Sequence, residues 1–119
     1  VTLIPLDATR QAGLTSKMME DIRKCADPFS RFALHATGYD AKIGKFPKGR
    51  GAFYLHDPLA VAAAIDATLV RTEKLPLSID TEGKFYGRVR EKPGNPEIAV
   101  AFGLDAGRFF ELFLSRLKG

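Results

Sequence analysis

One pair of adjacent residues, His56 and Asp57, combines a proton donor with a ligand for a hard metal ion. An imidazole can give or take a proton near neutral pH, and carboxylate oxygens are ligands that Ca²⁺ prefers. The pair follows a long glycine-containing segment and opens an apolar stretch that predicts a buried helix over residues 56–65. The sequence therefore offers one place where acid–base chemistry and a cation could meet.

Both residues also have ordinary structural explanations. An Asp before a Pro at a helix start is a frequent N-cap, and Asp27-Pro28 repeats the same pattern. A partly buried histidine that is hydrogen-bonded to backbone would equally account for His56. Residue type and spacing alone favour the N-cap for Asp57 and leave the role of His56 open.

Other catalytic signatures are missing from the sequence. It has no glycine-rich phosphate fingerprint, no cysteine pair for a metal and no Gly-x-Ser-x-Gly nucleophile motif. The single cysteine, Cys25, lies near Met19, Ile22 and Ala26, which predicts a small buried apolar side chain rather than a nucleophile.

Four of the basic residues fall in one segment, and the formal net charge is +4. They are Lys42, Lys45, Lys48 and Arg50. Such a cluster could bind phosphate or nucleic acid, but charged runs between periodic segments are usually solvated loops. The loop is the favoured interpretation, and a small nucleic-acid-binding or interaction module is the alternative function.

The first half of the chain predicts one strand and three helices within a single domain, or part of one, of 119 residues. Apolar residues 1–4 are typical of a strand buried in a parallel sheet. Residues 5–13 are expected to be a connection, and Thr15 or Ser16 to cap a helix that ends near Cys25 or Ala26. The next helix starts at Asp27-Pro28 and stops near Gly38, its predicted apolar stripe being Phe29, Phe32, Ala33 and Ala36. Residues 40–55 show no period and predict a long loop.

The second half predicts three strands and a closing helix. Residues 75–79 alternate, with Pro76 favouring a sheet edge; residues 85–89 form a second short strand, and residues 98–104 a central one. Asp105 is expected to cap the last helix, whose apolar stripe is Phe109, Leu112, Phe113 and Leu117. Mixed strands and helices place the chain in the α/β class.

Several segments together resemble the carboxy-terminal part of the inosine-uridine preferring nucleoside hydrolases. The most specific is residues 55–62, LHDPLAVA, followed by residues 66–73, DATLVRTE. Residues 1–11, VTLIPLDATRQ, are similar to the family strand that follows its ribose-binding segment, and residues 80–83, DTEG, to its acidic turn. Residues 98–101 with Asp105 and Phe109 are similar to its closing strand and helix.

The resemblance implies an open, mostly parallel, Rossmann-like sheet with a small antiparallel strand pair, of which residues 1–119 are the carboxy-terminal portion. It implies hydrolysis of the N-glycosidic bond of a ribonucleoside, which gives ribose and free base in a salvage pathway. Asp57 matches a calcium-binding and substrate-binding aspartate, and His56 matches a histidine that can protonate the leaving base. Tyr39 is similar to an aromatic residue around the base, with a surface tyrosine as the alternative; Phe46, Phe53 and Tyr54 are further candidates.

The sequence departs from the family in ways that bear on activity. The family's amino-terminal aspartate cluster and its Asn- and Glu-containing ribose-binding segment have no counterpart here. Because Ca²⁺ takes about six to eight oxygen ligands, Asp57 alone is not a calcium site, and the chain by itself is expected to be inactive. A fragment of a longer enzyme is the preferred explanation, ahead of a relic or a chain completed by another chain.

Partners and location follow as further expectations. We expect a nucleoside substrate, no nucleic acid and a homo-oligomer for the full-length enzyme. No stretch approaches the roughly 20 apolar residues of a membrane span, so neither a membrane partner nor a location outside the cytoplasm is expected. An unpaired edge of the first strand could also dock on a partner.

Overall fold

The computed structural model describes residues 1–25, 27–38 and 52–117. Five α-helices and six strands lie in these ranges. In chain order they are β1 (Thr2–Leu3), α1 (Leu6–Thr9), β2 (Gly13–Thr15), α2 (Ser16–Arg23), α3 (Pro28–Ala36), β3 (Ala52–Tyr54), α4 (His56–Ile65), β4 (Val70–Ile79), β5 (Val89–Glu91), β6 (Glu97–Leu104) and α5 (Ala106–Leu117). Two short 3₁₀ helices, Ala67–Leu69 and Gly83–Phe85, flank β4.

The main sheet has four strands in the order β1-β6-β4-β5. Only β1 and β6 run parallel; β4 is antiparallel to both β6 and β5. The α/β class is confirmed, as is an antiparallel pair near residues 77–91, but a mostly parallel sheet is not seen in the described residues. The first strand pairs parallel to β6, as expected for a strand of a parallel sheet, but it is only partly buried: among the described residues β1 is an edge of this sheet, with Thr2 exposed and Leu3 half-buried.

Strand β6 is central, as predicted, with β1 on one side and β4 on the other. Val100, Ala101 and Gly103 are buried in it. At Gly103 a Cβ atom would lie 2.5 Å from Nε of Arg71 on β4, so a larger residue there would displace the arginine side chain that packs over this glycine. The chain then enters α5, whose first turn is capped by Asp105 through its Oδ1, which accepts from the backbone N–H of Arg108 at 3.1 Å.

Strand β4 is twice as long as the predicted strand and is not at the edge. It begins at Val70, and Pro76 lies between β6 and the β5 hairpin, so the edge assignment was wrong. Pro76 is tolerated because it stands opposite Glu97 at the end of the β4–β6 ladder, and its carbonyl accepts from Lys92 N–H at 2.7 Å.

The predicted strand over residues 85–89 is displaced towards the carboxyl end. Residues 83–85 form a 3₁₀ helix, and the strand, β5, starts at Val89. Gly83 and Gly87 have φ of 73° and 83°. These positive angles turn the chain, so its pairing with β4 begins only at Val89. Asp80 holds the hairpin closed through Arg88 at 3.0 Å and Arg90 at 2.8 Å.

A second, two-stranded sheet joins two segments that were predicted to be irregular. Strands β2 and β3 pair antiparallel, with Leu14 opposite Phe53. The predicted connection 5–13 contains α1, and the predicted loop 40–55 ends in β3. Elements of three or four residues are too short to show a hydrophobic period, which is why the sequence does not reveal them.

Helices α2 and α3 begin where predicted. Thr15 caps α2, which ends at Arg23, and Asp27 caps α3, with Pro28 at its first position. The predicted stripe of α3 is not its buried face, because Phe29 and Phe32 are 65% and 69% exposed while Ser30 is fully buried. Cys25 is half-buried and its thiol donates to the carbonyl of Asp21 at 3.5 Å.

One apolar core connects the helices to both sheets. It comprises Ala8, Ala12, Leu14, Met19, Ile22, Leu55, Leu59, Ala62, Leu69, Val70, Ala101 and Phe109. Phe109 is the buried residue of α5 in this core, and its ring stacks on that of Phe113, one turn along the same helix, with centroids 6.0 Å apart. None of the helices in the described ranges is long and apolar enough to cross a membrane.

We expect Met19→Ala to lower the free energy of unfolding by about 2–5 kcal/mol, because it removes a fully buried side chain and leaves a cavity. Urea denaturation measures the change. Lys17→Ala, at an exposed position of the same helix, is the control and should change stability by less than about 0.5 kcal/mol. Equal losses in the two variants would contradict the burial of Met19.

A second prediction concerns pH. Hydrogen bonds from the Ser30 hydroxyl, at 2.6 Å, and the Ser30 backbone N–H, at 3.0 Å, lower the pKa of Asp27. The unfolded chain therefore binds this proton more tightly, so the stabilisation is present above the unfolded pKa and is lost as pH falls below about 4. Asp27→Asn keeps a capping oxygen but does not titrate. Thermal melts between about pH 6 and pH 2.5 should show a smaller fall in melting temperature for this variant than for the wild type. An equal fall in both proteins would contradict the prediction.

Candidate functional site

His56 is the first residue of α4, and its imidazole is held by one short hydrogen bond. Nδ1 lies 2.6 Å from Oγ1 of Thr9, the last residue of α1. Thr9 is buried, at 3% exposure, whereas His56 is exposed. The ring is thus bonded to a side chain rather than to backbone.

The β2–β3 pair brings these two residues together although 47 positions separate them. Directly after β3, the Leu55 N–H donates to the carbonyl of Ala12 at 2.9 Å, so the start of α4 is tied to the end of the α1 segment. Leu55 and Ala12 are both buried in the core. Backbone pairing therefore places His56 beside Thr9.

Gln11 ties the same segment to the main sheet. Its Nε2 donates to the carbonyls of Asp7 and Phe102, both at 2.8 Å, and its Oε1 accepts from Leu104 N–H at 3.2 Å. Phe102 and Leu104 lie at the carboxyl end of β6, which runs parallel to β1. In α/β sheets, the carboxyl ends of parallel strands are where ligands commonly bind. The Thr9–His56 pair lies beside such an end.

Asp57 is not the N-cap of α4. The helix starts one residue earlier, at His56, so the N-cap is Leu55, and no side chain caps the helix. Pro58 consequently stands at the third helical position, whereas Pro28 stands at the first position of α3. The exposed Asp57 carboxylate has no hydrogen-bond or ion-pair partner within residues 1–25, 27–38 and 52–117. The capping role favoured by the sequence was wrong, and none of the described residues binds the oxygens of Asp57.

The donor chemistry of Asp57 suits a hard cation, but the described part of the chain does not complete a site. No group of three or more His, Cys, Asp or Glu residues that could hold a metal occurs there. Since Ca²⁺ takes about six to eight oxygens, a calcium site at Asp57 would need several further oxygen ligands.

Aromatic residues were expected around the site. The Tyr54 ring lies 6.0 Å from the His56 ring, with the planes tilted by 38°, and is 44% exposed. Phe53 is partly buried and packs against the core instead. Tyr39, Phe46 and the basic residues Lys42, Lys45, Lys48 and Arg50 lie outside the described residues.

The far end of α4 is fixed by a separate polar cluster. Asp66 accepts from the Thr68 hydroxyl at 2.6 Å and from Nη2 of Arg108 at 2.7 Å. The bonds from Thr68 and the charge of Arg108 lower the pKa of Asp66, which keeps it ionised. This cluster joins α4 to α5 and orients the helix that carries His56 and Asp57.

Thr9 is the site residue that the sequence did not reveal. It lies in a four-residue helix that was predicted to be a connection, and its partner is 47 positions away. No local pattern distinguishes a threonine that contacts a distant histidine from one that fills space.

The sequence matches the family model described as inosine-uridine preferring nucleoside hydrolase over residues 1–111. Among curated proteins, the inosine-uridine preferring nucleoside hydrolase of Crithidia fasciculata is 32% identical, and that of Leishmania major is 29% identical. Both alignments cover 99% of this chain and 39% of the relative, so the chain spans well under half of their length.

Solved structures give the same result. A purine-preferring ribonucleoside hydrolase from Gardnerella vaginalis is 33% identical, with a TM-score of 0.76, over 100% of this chain and 40% of its own. A plant nucleoside hydrolase has a TM-score of 0.85 at 23% identity, over 99% of this chain and 41% of its own, which shows the shared fold. The match to the family model covers nearly all of the sequence, and the chain belongs to the inosine-uridine preferring nucleoside hydrolase family.

Proposed function

We propose that this chain is the carboxy-terminal part of a single nucleoside hydrolase domain, which cleaves the N-glycosidic bond of ribonucleosides. The products are ribose and a free base. The observation that carries the proposal is the family match over residues 1–111, in which His56 and Asp57 open α4 with neither side chain used as a cap.

The reaction places opposite demands on the two sides of the bond. The bond from the anomeric carbon to the base nitrogen breaks and its electron pair leaves with the base. The oxygen of water bonds to the anomeric carbon with release of one water proton, and the base takes up one proton. Positive charge builds on the sugar, as in other glycoside hydrolyses, while negative charge builds on the base. Protonating the base therefore lowers the barrier, and a positioned acid typically contributes about 10²- to 10⁴-fold.

His56 is the proposed proton donor. It is exposed, its orientation is set by Thr9, and Tyr54 lies beside it as an aromatic surface against which a base could pack. These features support donation of a proton to the leaving base. Tyr39 stays a predicted substrate contact.

Asp57 is the proposed calcium and substrate ligand from this chain. A bound Ca²⁺ would lower the pKa of the attacking water and help to orient the substrate. Because the described residues offer Asp57 without further clustered ligands, the other ligands are proposed to come from outside this chain. Residues 1–119 alone are accordingly proposed to be inactive.

The remaining expectations stay predictions: homo-oligomeric assembly, cytoplasmic location and a place in base salvage. The family match lends no support to the nucleic-acid-binding alternative, whose basic cluster lies outside the described residues.

Asp57→Asn in the full-length protein should lower nucleoside hydrolysis by at least about 10²-fold and weaken Ca²⁺ binding, because it removes one anionic ligand. Initial rates across a calcium titration, with isothermal titration calorimetry, measure both effects. Asp27→Asn is the matched control, since it makes the same change at the other Asp-Pro helix start and should keep both properties. Wild-type turnover and calcium affinity in Asp57→Asn would end the proposed role.

His56→Ala should lower kcat on natural nucleosides by about 10²- to 10⁴-fold, since it removes the proposed acid. The loss should be much smaller on a riboside with a weakly basic phenolate leaving group, which departs without a proton. Steady-state kinetics on the two substrates give the comparison. An equal loss on both would contradict proton donation by His56 and would indicate a structural role.

A further inference from the structure

We propose that Thr9 is a positioning residue for His56: its buried hydroxyl is hydrogen-bonded to Nδ1 and so fixes the ring with Nε2 turned towards the substrate. The inference rests on the proposed function, in which His56 protonates the leaving base. It assigns a role to a residue of α1 that contacts neither the reacting bond nor the metal ligand.

The hydroxyl of Thr9 is placed by its own backbone. The Thr9 N–H donates to the carbonyl of Pro5 at 3.0 Å, and the Thr9 carbonyl accepts from Ala12 N–H at 3.0 Å. Burial to 3% exposure leaves the side chain no room to turn towards solvent. A 2.6 Å contact to Nδ1 from such a group restricts the rotation of the imidazole.

The hydrogen bond serves either protonation state of the ring, because the donor and acceptor roles of Nδ1 depend on where the ring protons lie. Within the described ranges, Oγ1 of Thr9 has Nδ1 of His56 as its hydrogen-bond partner and no other. The imidazolium that acts as an acid carries an N–H on both nitrogens. Its Nδ1–H then donates to Oγ1 of Thr9, and the Nε2 proton passes to the leaving base, which leaves a neutral ring still bonded to Thr9.

The surrounding contacts fix the positions of Thr9 and His56 relative to each other. The β2–β3 pair and the Leu55–Ala12 hydrogen bond hold the two residues from one side. The side chain of Gln11 holds the α1 segment to β6 from the other. Thr9 and His56 therefore keep their separation when substrate binds, and a fixed acid is what proton transfer in a transition state requires.

The test compares Thr9→Val with Thr9→Ser in the full-length enzyme. Valine keeps the shape and removes the hydroxyl; serine keeps the hydroxyl. We expect Thr9→Val to lower kcat on natural nucleosides by about 10- to 100-fold with little change in KM, and to lower it far less on the phenolate-leaving riboside. Thr9→Ser should restore most of the lost rate.

The control is Ser30→Ala, which removes another buried hydroxyl with a 2.6 Å hydrogen bond to a side chain, that of Asp27 on α3. It should destabilise the protein and leave the ratio of rates on the two substrates unchanged. If Thr9→Val does not fold, the Thr9→Ser and Thr9→Ala pair gives the same comparison, because the two differ only by the hydroxyl.

A second readout does not depend on turnover. The ¹⁵N shift of His56 Nδ1, assigned with His56→Gln and recorded at one pH, should be the same in the wild type and Thr9→Ser, and should move to that of an unbonded nitrogen in Thr9→Val. Unchanged shifts, or a rate loss equal on both substrates, would overturn the proposal. A wild-type enzyme that cleaves no nucleoside but shows the predicted shifts would instead reject the proposed function and leave the Thr9–His56 bond intact.

Discussion

The pairing of β2 with β3 is the constraint on which the candidate site depends. It joins residues 13–15 to residues 52–54, and the hydrogen bond from Leu55 to Ala12 extends it to the first residue of α4. Without this pairing, nothing in the local sequence would bring a helix start to the end of a four-residue helix 47 positions earlier. A ribbon this short is not stable by itself, and the buried Leu14, Leu55 and Ala12 tie it to the core.

The two Asp-Pro helix starts show how one motif serves two purposes. In α3 the helix begins at the proline, and Asp27 accepts the hydrogen bonds that an N-cap should accept. In α4 the helix begins one residue before the aspartate, so the carboxylate of Asp57 has no capping bond. The shift of one residue follows from Leu55, which is held by Ala12 and takes the N-cap position itself. Because Asp57 makes no capping hydrogen bond, its carboxylate can bind a ligand without breaking one.

The proposed site needs residues beyond those that the structure describes. Relatives that match over nearly the whole chain are more than twice as long, and the described residues cluster no set of metal ligands. In the proposed function, this chain contributes His56, Asp57 and the elements that orient both. The polar cluster of Asp66, Thr68 and Arg108 at the opposite end of α4 is among these elements.

The sequence by itself determined the class of the fold, the family, and the helices with clear start signals at Thr15, Asp27 and Asp105. It also determined the central strand β6, because eight residues are enough to display an alternating pattern. Only the tertiary structure decided the features made by long-range pairing: β3, the interior position of Pro76, the outward face of α3 and the contact between Thr9 and His56. Periodicity reports burial along one element, whereas these features depend on which distant backbone or side chain supplies the partner.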